Sequence, residues 1–128
     1  MTAPESYQRR TFRFGLAILR LYRKVAANPE IPHFLASQLC RAGTSIGANI
    51  EEAKSAYSRR EMAMKYSIAL REGRECHYWL RLIRADQPAL AQATDPLIDE
   101  VDQLVAILTT TVRKLRSPTE SPDRPSAQ

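Results

Sequence analysis

Residues 62–83, MAMKYSIALREGRECHYWLRLI, decide the fold. Met62, Tyr66, Ala69, Gly73, Cys76, Leu80 and Ile83 follow one another at steps of 4, 3, 4, 3, 4 and 3 residues. On an α-helix, with about 3.6 residues per turn, such steps form a single apolar stripe. The same rule runs through Leu35, Leu39, Ala42, Ile46, Ile50, Ala53 and Tyr57, and through Leu97, Val101, Leu104, Leu108, Val112 and Leu115. No segment alternates with a period of two, so no sheet is expected.

Punctuation between the stripes sets the number of helices. Pro29 and Pro32 stop the first, and the Ser58-x-x-Glu61 capping box restarts the chain after the second. Pro88 ends the third, and Asp95-Pro96 offers an N-cap followed by a proline at the first helical position. Helices are therefore predicted over 6–27, 33–57, 59–85 and 95–115. Residues 1–5 read as a flexible N-terminus, 6–115 as the domain, and 116–128, with Pro118, Pro122 and Pro125, as a disordered tail. Short connections make successive helices antiparallel. The fold class is all-α, an up-and-down four-helix bundle packed in the left-handed manner.

The 128 residues suffice for one core. Lys and Arg number 19 against 14 Asp and Glu, a net charge of +5 that favours polyanionic partners. Cys40 and Cys76 lie in apolar helical runs, and the polar opening residues offer no signal peptide. With no apolar run long enough for a bilayer, a reduced, cytoplasmic protein with no membrane role is expected.

The first and third helices carry more apolar surface than one seam needs. Phe12, Leu16, Leu19 and Val25 are predicted to face inward, leaving Phe14, Ile18, Leu21 and Tyr22 on neighbouring faces. Ile68, Trp79 and Leu82 likewise sit off the third seam. Phe14, Ile18, Trp79 and Leu82 are thus the predicted oligomer interface, and Trp79→Glu is expected to break it. Residues 41–53, RAGTSIGANIEEA, crowd small residues on the second helix. Each helical glycine costs about 1 kcal/mol relative to alanine, so Gly43 and Gly47 point to close approach by another helix. Asn49, beside Ile46 and Ile50, is predicted to strap the second helix to Glu72 or Glu75 of the third, with a cost of about 1–3 kcal/mol when replaced by alanine.

Two stretches, SIGANIEE at 45–52 and ALREGRECHYWLRLI at 69–83, resemble the four-helix-bundle proteins encoded in intervening sequences of bacterial large-subunit ribosomal RNA genes. Related members are accessory proteins of diversity-generating retroelements. The similarity spans residues 12–115, and Ala53 stands where the family usually has glycine. The resemblance implies a homopentamer around a central channel. In the retroelement branch it further implies binding of nucleic acid and of a reverse transcriptase.

Charge adds an independent reading. The first helix holds six cations, of which Arg9, Arg13, Arg20 and Lys24 share one side and form the candidate nucleic-acid surface for RNA or DNA. The fourth helix gathers Asp95, Asp99, Glu100 and Asp102 near its start.

Catalytic candidates are weak. His77 and its neighbour Cys76 point to different helix faces, which suits neither a shared metal nor a nucleophile–base pair. Glu51, Glu52, Glu72 and Glu75 lack the Glu-x-x-His partner of a di-metal bundle, and no phosphate-cradling glycine loop is present. No enzyme activity, cofactor or metal is predicted. Two classes fit: a nucleic-acid-binding oligomer, and a protein-interaction scaffold whose basic face meets an acidic partner or water.

Overall fold

The computed structural model describes residues 5–118. Four helices run α1 Tyr7–Ala27, α2 His33–Lys54, α3 Arg59–Asp86 and α4 Ala91–Arg116, with a 3-10 turn at Pro88–Leu90 leading into α4. The connections are too short for anything but antiparallel neighbours. α2 packs on α1 and α3, and α4 packs on α3, while α1 and α4 touch only lightly along the last seam. The residues spaced along α3 point inward as expected, from Ala69 through Gly73, Cys76 and Leu80 to Ile83. They meet Leu39, Ile46 and Ile50 of α2 and Leu104 and Leu108 of α4 in one core.

Side chains finish the helix ends. The hydroxyl of Ser6 accepts from the Arg9 N–H at 3.2 Å and that of Ser58 from the Glu61 N–H at 3.0 Å. At the far end of α4, Arg59 donates to the carbonyls of Leu115 (3.1 Å) and Lys114 (2.6 Å), satisfying oxygens the helix leaves free. Buried Thr11 and Thr94 return their hydroxyls to the carbonyls of Tyr7 and Leu90, at 2.7 and 3.0 Å.

Three sequence expectations change. In α1 the inward face is Phe14, Ile18, Leu21 and Val25, whereas Phe12 is 70% exposed and Leu16 and Leu19 also lie outside. Both sets have helical spacing, and the glycines of α2 choose between them. A Cβ placed on Gly43 would stand 2.7 Å from Cγ1 of Ile18, and one on Gly47 would stand 3.3 Å from the Thr11 carbonyl oxygen. α1 comes this close only with Ile18 and Thr11 turned toward α2.

α2 stops at Lys54, so Tyr57 lies in the turn and not on the seam. α4 begins at Ala91, before Asp95, so Asp95 is no N-cap and Pro96 lies inside the helix. Pro96 there leaves the Gln92 carbonyl without a backbone N–H donor. The flexible start expected at residues 1–4 and the disordered tail expected at 119–128 lie outside the described residues.

Candidate functional site

The outer face of α1 carries two adjoining stripes. Arg9, Arg13, Arg20 and Lys24 are all exposed, with Arg23 beside them. Arg13 pairs with Glu5, its Nε donating at 2.7 Å. Among the described residues no carboxylate lies within ion-pair distance of Arg9, Arg20, Arg23 or Lys24. Arg20 and Lys24 border a shallow cleft of about 250 Å³ between α1 and α4, next to Pro96 and Leu97. Arg10 is used differently. It donates to both oxygens of Glu100 at 2.9 and 2.8 Å and to Gln103 at 2.8 Å, tying α1 to α4.

The second stripe is Phe12, Leu16 and Leu19, exposed by 70, 39 and 38%. It forms one wall of a groove of about 300 Å³ whose other wall is Thr44, Gly47 and Ala48 of α2. Sequence reasoning placed these three apolar residues in the core. The missed signal was the Gly43/Gly47 pair, which demands a bulky partner at only one register of α1.

The remaining interface residues separate. Phe14 and Ile18, predicted at a subunit contact, are 2 and 0% exposed within one chain and belong to its core. The close approach of α1 to Gly43 and Gly47 turns this face inward. Trp79 is half-buried at the edge between α2 and α3, edge-on to Phe34 at 6.5 Å, with its indole N–H donating to Glu75 at 3.1 Å. Trp79→Glu is therefore expected to disturb the packing on Phe34 as well as any contact between copies, which makes it a poor probe of assembly. Leu82 remains on the surface, 37% exposed.

The predicted Asn49 strap does not form. Its amide donates to the Ser45 carbonyl one turn earlier at 2.9 Å, within α2. Arg41 takes the bridging role, meeting Glu72 at 3.0 Å and also pairing with Glu75. An arginine fork reaches two carboxylates across the helices, which the shorter Asn49 does not. Glu52 pairs with Lys65, while Glu72 and Glu75 both face Arg41. Burial pushes the Cys76 thiol well above its ordinary range, which favours its protonated form.

The hydrogen bond from Arg41 holds the Glu75 carboxyl below its ordinary value of 4.5, with a smaller push from the Trp79 indole. Because the folded value is depressed, the stabilisation is present above the unfolded value and is lost as pH falls through the folded one. Arg41→Met is expected to lower stability at neutral pH by about 1 kcal/mol or less, since the pair is partly exposed. The difference from the parent protein should vanish below the carboxylate range. Urea melts at neutral pH and near pH 3 read this, and a constant difference at both would contradict it.

An all-helical up-and-down bundle with a basic and apolar outer helix is thus the class of protein described. The sequence profile of the 23S rRNA-intervening sequence proteins matches residues 6–110, and the chain belongs to that family. A search of curated proteins found no match. Among solved structures, the chain is similar to a protein of unknown function from the S23 ribosomal protein family of Bacteroides thetaiotaomicron, determined at 1.70 Å. The two are 30% identical, with a TM-score of 0.75, over 83% of this chain and 97% of the other. Among the described residues no helix is long and apolar enough to cross a membrane.

Proposed function

We infer that the chain works as a homo-oligomer, a pentamer, that binds nucleic acid through a basic surface repeated around the assembly and catalyses no reaction. The observation carrying this reading is the outer face of α1. Four exposed cations without an ion pair among the described residues border an apolar stripe led by Phe12. The apolar stripe suits a neighbouring copy, since contiguous exposed apolar surface on a small bundle marks a contact. The cations flanking it then line up from copy to copy, and a polyanion meets several at once. The number five rests on the family resemblance.

Phosphate contacts of this kind read charge and not base sequence, so duplexes of different sequence should bind alike at this stripe. The test is a salt titration of binding to an arbitrary duplex beside sedimentation of the same sample. The logarithm of the association constant should fall linearly with log salt, with a slope of magnitude about 3 or more as several phosphates are neutralised. A shallow slope, or tighter binding to an acidic protein than to duplex, favours the scaffold reading instead.

A further inference from the structure

We propose that the end of the bundle where α2 turns into α3 is a second nucleic-acid site, separate from the α1 stripe and selective for single strands, in which an unstacked base lies on Tyr57 and the phosphates on Arg60 and Arg116. Tyr57 is 98% exposed, the most exposed of the large apolar or aromatic side chains among the described residues. It is not held out by a loose loop. Its N–H donates to Glu61 Oε2 at 3.0 Å while the Glu61 N–H donates to Ser58, so both ends of the turn are fixed. The ring therefore stands in water on a rigid support.

Cations from three segments gather at this end of the bundle: Lys54 at the end of α2, Arg59 and Arg60 at the start of α3, and Arg113, Lys114 and Arg116 in the last turn of α4. All six are exposed, and among the described residues none has a carboxylate within ion-pair distance. Three of them, Arg59, Arg60 and Arg116, line a groove of about 750 Å³ between α3 and α4, together with Glu61, Met64 and Leu115. Arg59 is committed to the α4 carbonyls and fixes one wall of this groove. Arg116 donates one N–H to Ser67 Oγ at 2.8 Å, which aims the guanidinium across α3 and leaves its other donors available.

Positive charge along a groove with a projecting aromatic face is how single strands are held: the cations track phosphates and the ring stacks a base. A duplex keeps its bases inside and offers the ring no planar partner. An acidic peptide would use the cations and leave the tyrosine idle. The favoured ligand is therefore single-stranded RNA or DNA.

The test uses the full chain and two probes, a short fluorescein-labelled oligouridylate and a duplex of equal length. Tyr57→Ala should weaken single-strand binding about 5- to 150-fold, the effect of one lost stacking partner, and leave duplex binding within about twofold. Tyr57→Phe should restore it. Arg60→Glu with Arg116→Glu should lower the salt slope for the single strand. Because Tyr57 packs on nothing, the melting temperature of Tyr57→Ala should match the parent. Photocross-links from 4-thiouridine should fall within residues 54–60. Unchanged single-strand affinity in Tyr57→Ala, cross-links confined to α1, or no single-strand binding by the parent protein would each overturn the site. Loss of duplex binding on reversing the α1 cations speaks only to the stripe, so the two readings fail separately.

Discussion

Ile18→Ala lowers the unfolding free energy by about 2–5 kcal/mol, whereas Phe12→Ala leaves the stability of the single chain within about 0.5 kcal/mol. The contrast follows from burial: Ile18 has no exposed surface and Phe12 keeps 70% of its own. Ile18 also sets the distance between α1 and α2. Gly43→Ala drives a methyl into its γ carbons, at 2.7 and 2.8 Å, close to the backbone where the side chain has no room to swing. Overpacking of this sort costs about 1–3 kcal/mol, against roughly 1 kcal/mol gained in helix propensity. The two substitutions are therefore coupled. Gly43→Ala should be far less harmful in an Ile18→Ala background, because the colliding atoms are gone. Denaturant melts of the four proteins in this cycle measure the coupling. Strict additivity would mean that Ile18 does not rest on Gly43.

If the α1 face is the contact between copies that we propose, Phe12→Glu with Leu16→Glu should give monomers and lower duplex affinity by about 100-fold or more. Both side chains are exposed in the single chain, so the fold has no reason to fail. In a contact between copies, each carboxylate would be buried without a partner, which costs several kcal/mol per charge. Monomers then present one short basic stripe each and lose the gain from simultaneous contacts, commonly a factor of about 100 to 10,000. The glutamates also subtract positive charge locally. A Phe12→Gln, Leu16→Gln variant, which keeps the net charge, should dissociate as well and lose most of the same affinity. Sedimentation equilibrium and duplex anisotropy on both variants decide the matter. An assembly unchanged by either pair would remove the Phe12 face from the contact.

The fold was legible because its signals are local. The alternating spacing of α3, the prolines at 29 and 32 and the Ser58–Glu61 cap each act within a turn or two. The rotation of α1 was not legible from α1 alone. Phe12, Leu16 and Leu19 lie on one side and Phe14, Ile18 and Leu21 on another, and hydropathy does not rank them. The information sits on α2, in glycines whose partner only packing reveals. Asn49 failed as a strap for a related reason. Its neighbours Ile46 and Ile50 are core residues, but its amide has a nearer acceptor in its own helix. The exposed cations Arg9, Arg20 and Lys24 were readable from spacing, whereas the engagement of Arg10 by Glu100, ninety residues away in sequence, was not.

The reading of α1 as a polyanion surface stands most directly on one comparison: sedimentation and salt-titrated duplex binding of the parent protein and of an Arg9→Glu, Arg20→Glu, Lys24→Glu variant. These side chains are exposed and lack ion-pair partners among the described residues, so the variant should fold and assemble like the parent. The predicted result is an oligomer of unchanged size whose duplex affinity has collapsed and whose salt slope is shallow. A parent protein that sediments as a monomer, or a variant that binds duplex with the parent's affinity and slope, would contradict it.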